Sequence, residues 1–176
     1  IQYFLAVKED ITLQKAQEDR IMQQAHFDLL TGLPNRFLSL DRLEQMIKDA
    51  ERSHEHVAVL FLDLDDFKKV NDSLGHEVGD RLLKQAAERL NSNVRDYDTV
   101  GRLGGDEFIV ILGGLAEIDR SGRVAEQMLE QFHRPFRLDG RELVLTASLG
   151  VAIYPEDGNS PAELLRNADT AMYCSK

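Results

Sequence analysis

The sequence predicts an α+β domain, with helices packed on a mixed or antiparallel sheet. Three observations lead there. The run Val57-Ala58-Val59-Leu60-Phe61-Leu62 is unbroken and made of β-branched and bulky residues, as in a strand covered on both faces. Gly104-Gly105 and Asp139-Gly140 each separate two apolar segments, which is hairpin chemistry. Elsewhere apolar residues recur at three- and four-residue steps, one stripe per helix.

In chain order, residues 1–7 read as an apolar, aromatic-bearing strand. Residues 12–25 read as a solvated helix whose apolar positions are Leu13, Ala16, Ile21 and Ala25. That loose heptad spacing fits a short coiled coil and a plain connecting helix equally. Thr31-Gly32-Leu33-Pro34-Asn35-Arg36 is turn chemistry. The helix after it, ending near Arg52, buries Leu40, Leu43, Ile47 and Ala50. Beyond the central strand, a short helix over 67–74 stops at Gly75, and a longer one from Asp80 buries Leu82, Leu83, Ala86, Ala87 and Leu90. Strands at 99–103 and 108–112 flank Gly104-Gly105, and Gly113-Gly114 ends the second. The next helix turns Val124, Met128, Leu129 and Phe132 inward. A hairpin then runs from Phe136-Arg137-Leu138 into one strand over 143–154. The last helix starts near Ser160-Pro161, where Pro suits the first turn, and buries Ala162, Leu165, Ala168 and Met172.

The 176 residues allow one sizeable core with about 20 to 30 residues to spare. They carry 21 Lys and Arg against 31 Asp and Glu, a formal net charge of −10. That balance opposes attraction to nucleic-acid polymers or anionic lipid, which needs a basic face. No apolar run approaches the roughly 20 residues of a membrane helix. The start has neither Met nor a basic leader, so the chain is expected to begin inside a longer protein. The lone Cys174 excludes an intrachain disulfide and points to a reducing compartment, the cytoplasm.

Three clusters could carry chemistry, and one of them is Arg95-Asp96-Tyr97-Asp98, just before the strand at 99–103. Asp63-Leu64-Asp65-Asp66-Phe67-Lys68 lies where the buried strand gives way to a helix, and such turns offer backbone N–H groups to phosphate. Acidic residues near a helix start also stabilise it for reasons unrelated to catalysis. The third is Asp106-Glu107 at a hairpin tip, where like charges raise each other's pKa unless a cation intervenes. If that tip lies beside the strand ending at Asp63, carboxylates from both hold a hard cation. Mg²⁺ takes oxygen ligands, commonly one or two carboxylates with waters and substrate phosphates, so the arrangement implies a nucleotide. Asp65 and Asp66 read as solvated or capping residues.

Gly104-Gly105-Asp106-Glu107-Phe108 is the signature of GGDEF domains, the diguanylate cyclases that make cyclic di-GMP from GTP, and the chain resembles that family well beyond it. Asp28-Leu29-Leu30-Thr31-Gly32-Leu33-Pro34-Asn35-Arg36, Phe61 through Lys68, Asn71-Asp72-Ser73-Leu74-Gly75-His76 with Gly79-Asp80, Ser148-Leu149-Gly150-Val151-Ala152, and Ala168-Asp169-Thr170-Ala171-Met172-Tyr173 all follow in the family's order. The resemblance implies a mainly antiparallel central sheet flanked by helices, the ferredoxin-like palm of nucleotidyl cyclases and polymerases. It also implies a domain over 28–176 with its C-terminal end cut short, a helical stalk over 13–27, and the tail of a PAS-like sensory domain over 1–12.

By the same resemblance, Asp63, Asp106, Glu107 and the Leu64 carbonyl bind two Mg²⁺ (or Mn²⁺) per active site. Asp106 serves as base for the attacking 3'-hydroxyl, and Lys68 stabilises charge on the phosphates. Asn71, His76 and Asp80 meet the guanine, with Lys176 on the triphosphate. A carboxylate at Asp80 accepts from both the ring N–H and the exocyclic amine of guanine, a pairing adenine cannot reproduce. Arg95 and Asp98 match the inhibitory site for product; as a bare pattern they are also a surface ion pair. The implied partners are GTP, cyclic di-GMP as product and inhibitor, and a second copy of the chain meeting it through the domain face and the stalk. A catalytically silent GTP-binding module controlling an attached phosphodiesterase is the alternative.

Overall fold

The computed structural model describes residues 20–175. Residues 20–26 are helical, while 1–19 and Lys176, with the first seven residues of the expected stalk and all of the expected PAS-like tail, lie outside the described residues. There follow α1 (Arg36–Ser53), β1 (His56–Leu64), α2 (Phe67–Leu74), α3 (His76–Asn91), β2 (Thr99–Gly104), β3 (Glu107–Leu115), α4 (Asp119–Phe132), β4 (Phe136–Leu138), β5 (Arg141–Leu143), β6 (Ala147–Tyr154) and α5 (Pro161–Ser175). The main sheet has the order β2-β3-β1-β6 with every neighbouring pair antiparallel, and β4 and β5 form a separate hairpin. This is the split βαβ connectivity of ferredoxin-like sheets.

Alternation along the strands divides the core into two layers. Val57, Val59 and Phe61 of β1, with Ile109 and Ile111 of β3, face Leu43, Ile47 and Ala50 of α1 and Leu164, Leu165, Ala168 and Met172 of α5. The alternate residues Ala58, Leu60, Leu62 and Leu64, with Phe108, Val110 and Leu112, face Leu82, Leu83, Ala86, Ala87 and Leu90 of α3 and Val124, Met128 and Phe132 of α4. β1 is therefore covered on both sides, as its apolar run predicts. Gly150 lets α5 lie directly on β6, because a Cβ there would overlap the Ala168 carbonyl and the Met172 amide.

Four expectations are corrected. α3 begins at His76 rather than Asp80, since Gly75 at φ 87° breaks α2 and a new helix restarts at once. β3 continues through Gly113-Gly114 to Leu115; the missing side chain at Gly113 admits the Tyr97 ring, and a register shift between His56 and Ala58 absorbs the irregularity. The expected strand over 143–154 is two strands in two sheets, β5 and β6. In α5, Leu164 is buried and Ala162 is exposed.

The entry to the domain is tied to the sheet by one side chain. Nη1 of Arg102 donates to both carboxylate oxygens of Asp28, at 2.9 and 3.0 Å, while Nε and Nη2 donate to the Gly105 carbonyl at 3.0 and 2.7 Å. Asp28 also accepts from the backbone and hydroxyl of Thr31 at 2.9 and 2.7 Å. Burial pushes the Asp28 carboxyl up, but the hydrogen bonds from Thr31 and Arg102 outweigh it and hold the group below its ordinary range.

Two outcomes follow for stability. Gly150→Ala should lower the unfolding free energy in urea by about 1–3 kcal/mol, because helix backbone rather than a flexible side chain must give way. For Asp28, a depressed folded-state pKa gives stability that is present above the unfolded value and lost as pH falls through the folded one. The stability advantage of the natural protein over Asp28→Asn should therefore shrink as pH is lowered from about 5 into the carboxyl's depressed range. A difference that stays constant over that range would count against the ion pair.

Candidate functional site

Antiparallel pairing of β1 with β3 sets Asp63 directly across from Glu107. The turn between β2 and β3 needs positive φ at Gly104 and Gly105, 147° and 54°, so the double glycine is a conformational requirement there. Just beyond it, the Asp106 carbonyl accepts from the Leu64 N–H at 3.4 Å. Asp63, Leu64, Asp106 and Glu107 are thus gathered at one end of the sheet, the juxtaposition the hairpin reading required.

Burial first, then the negative charges of Asp63, Asp106 and Asp169, push the Glu107 carboxyl above its ordinary range; Arg36 pulls it back only in part. A cation would relieve that repulsion. Among the described residues no three His, Cys, Asp or Glu side chains converge as a ready metal cage. What the end of the sheet offers is one carboxylate on β1, one on β3 and one in the turn that joins β2 to β3. That donor set fits Mg²⁺, which accepts one or two carboxylates when water and phosphate complete the shell. A cavity of about 530 Å³ adjoins Glu107, with Arg36, Arg166 and Asp169 in its wall.

Lys68 is exposed in the first turn of α2. Asp66, at the N-cap with φ 60°, makes no side-chain cap bond and pairs with Lys69 at 2.8 Å. Asp65 is not a solvated or capping residue: it accepts from the Thr146 and Ser148 hydroxyls at 2.6 and 2.7 Å, and its N–H donates to the Thr146 carbonyl at 3.0 Å. It clamps the end of β1 to the start of β6.

Asn71 lies in the last turn of α2, and Asp80, exposed, in α3 across the break at Gly75. The Oδ1 of Asn71 is buried without a hydrogen-bond partner. His76 is the first residue of α3 and is exposed, and Lys176 lies outside the described residues.

Arg95 and Asp98 lie together before β2 and line a cavity of about 380 Å³ that Arg42 and Asn91 also border. Asp98 is not a surface ion-pair residue. Its Oδ2 accepts from the Arg95 N–H and from Arg120 Nη2, both at 3.1 Å, while its Oδ1 is buried and unpartnered. Sequence reasoning gave no role to Arg102, Arg36 or Arg120, and it misread Asp65. Arg102 was within reach, since it stands two residues before the glycine pair, whereas nothing local marks Arg120 as the partner of Asp98.

Comparison with known proteins agrees with this geometry. The family described as "Diguanylate cyclase, GGDEF domain" matches residues 25–176. The bifunctional diguanylate cyclase/cyclic di-GMP phosphodiesterase MucR of Pseudomonas aeruginosa is 46% identical over 94% of this chain and 24% of its own length. The cyclic di-GMP phosphodiesterase NbdA of the same organism is 44% identical over 89% of this chain and 20% of its own. The chain thus spans about a quarter or less of these two relatives. Among solved structures, the isolated GGDEF domain of Pseudomonas aeruginosa TpbB superposes with a TM-score of 0.84 at 44% identity, covering 86% of this chain and 88% of that one. With its family motifs set at the end of a palm-like antiparallel sheet, the chain belongs to the GGDEF diguanylate cyclase family.

Proposed function

We infer that this domain is a diguanylate cyclase, condensing two GTP into cyclic di-GMP and two pyrophosphates in the cytoplasm. The observation that carries the reading is the carboxylate set at the sheet end, Asp63 opposite Glu107 with Asp106 beside them. Asp63, Asp106, Glu107 and the Leu64 carbonyl would hold two Mg²⁺ or Mn²⁺. Bound there, the cations neutralise triphosphate charge and lower the pKa of the attacking alcohol.

The chain's own groups do the rest. Asp106 takes the proton of the 3'-hydroxyl, and Lys68, at the start of α2, meets charge on the phosphates, with Lys176 on the triphosphate. Asp80 accepts from the N1–H and exocyclic amine of guanine, with Asn71 and His76 beside the same base. One domain holds one GTP, and each 3'-hydroxyl attacks the α-phosphorus of the other, so two copies must face one another. The segment preceding Asp28 would set that approach. Arg95 and Asp98 would bind cyclic di-GMP as feedback inhibitor: the buried, unpartnered Oδ1 of Asp98 is an acceptor in search of a donor, which guanine supplies.

A second reading, a silent GTP-binding module governing a phosphodiesterase, is favoured by the relative named for that activity alone. Against it stand Asp63, Asp106 and Glu107, all present.

Turnover of GTP by the longer protein containing this domain, with the product identified by mass, separates the two readings. Asp106→Ala should reduce it at least about 10²-fold, and unchanged turnover would sink the catalytic assignment. Arg95→Ala should relieve inhibition by added cyclic di-GMP while leaving the initial rate within about twofold. Equal product affinity in the variant and the natural protein would refute the inhibitory site.

A further inference from the structure

Gly79 stands inside α3, where alanine would be the better residue by about 1 kcal/mol. Its backbone does not call for glycine, since it is absent from the positive-φ positions. Its neighbour does. A Cβ on Gly79 would overlap Asn71 Oδ1 and stand 3.0 Å from Asn71 Cγ and 3.3 Å from Phe67 Cζ. The approach is built by the helix break itself: the Asn71 carbonyl accepts from the Gly75 N–H at 2.9 Å, and the Gly79 N–H donates to the Gly75 carbonyl at 3.3 Å. α2 and α3 are thereby folded so that the Asn71 carboxamide rests on Gly79, its Oδ1 sealed from water. A buried acceptor without a donor is costly, so the orientation is imposed by packing rather than by a hydrogen bond.

We propose that Gly79 is a specificity-positioning residue, its missing Cβ being the seat that fixes the Asn71 carboxamide for reading guanine. The inference rests on the reading of Asn71 and Asp80 as guanine-binding residues. Asp80 follows Gly79 in the same helix, so one stretch of backbone carries both the carboxylate and the backstop of the carboxamide. The two groups that face the base then keep a fixed separation. A methyl at position 79 pushes the carboxamide off its seat and breaks that relation, while Asp63, Asp106, Glu107 and Lys68 are untouched.

The test is a double-mutant cycle on the natural protein, Gly79→Ala, Asn71→Ala and the combination, reading the GTP dissociation constant with Mg²⁺ present, KM, kcat and the thermal unfolding midpoint. Gly79→Ala is expected to weaken GTP binding at least about tenfold, with the loss in KM and kcat held within about twofold. Asn71→Ala is expected to do the same, and the combined variant to be no weaker than Asn71→Ala alone, because a removed carboxamide cannot be displaced. Natural affinity in Gly79→Ala beside weakened binding in Asn71→Ala overturns the inference and leaves the guanine reading standing, as do losses that multiply in the combined variant. Natural affinity in Asn71→Ala overturns the guanine reading of that residue and the inference with it. Should Gly79→Ala fail to fold, the combined variant decides: recovery of folding supports the seat, and an unfolded protein refutes it.

Discussion

The guanidinium of Arg102 is the joint on which the site depends. Its side chain is 11% exposed and that of Asp28 24%, so the pair is largely shielded and escapes the screening that makes surface ion pairs nearly worthless. One planar fork serves two clients, the carboxylate of the entry turn and the carbonyl of Gly105 at the hairpin tip. A lysine offers a single point charge and cannot bridge both. Glycines at 104 and 105 make the tip conformationally free in principle, and Arg102 removes that freedom in the folded state. The turn preceding α1 and the strand that begins with Glu107 are therefore held by the same side chain.

Asp65 does the same work from the other side. By accepting from Thr146 and Ser148 it fixes the end of β1 against β6, while Arg102 fixes the tip that pairs with β1. Between these two clamps Asp63 stands opposite Glu107 with Asp106 next to it in the chain, and burial together with the neighbouring negative charges pushes the Glu107 carboxyl up. The net charge of −10 has its sense here. It opposes nucleic-acid polymers, yet part of it lies in the carboxylates proposed to seat a cation through which a polyphosphate would approach.

The central strand and the Gly-Gly hairpin were legible because burial and turn chemistry are local: an unbroken apolar run and a pair of glycines can be read without the rest of the chain. The division between β5 and β6 was not. By composition the segment from Leu143 to Tyr154 is continuous, and the interruption lies beside the point where Asp65, some eighty residues away in sequence, captures Thr146 and Ser148. The start of α3 was hidden by Gly79, a poor helix former kept for reasons of packing. In the site, the meeting of Asp63 and Glu107 followed from strand order, whereas Arg102 reaching Asp28 spans 74 positions and Arg120 reaching Asp98 spans 22. Such partners are set by tertiary structure, and no periodicity announces them.

β2 links the two functional regions. Asp98 immediately precedes it and the Gly104-Gly105 tip closes it, so six residues, about 20 Å of extended chain, separate the proposed product site from the carboxylates. A dinucleotide held by Arg95 and Asp98 cannot compete with GTP for the same atoms across that distance. β2 is also an edge strand, paired on one side to β3, with Arg42 of α1 reaching Thr99 at 3.4 Å. Any inhibition exerted from Asp98 must therefore act through β2 on the hairpin tip, or through the orientation of the two domains that the proposed reaction requires to face each other.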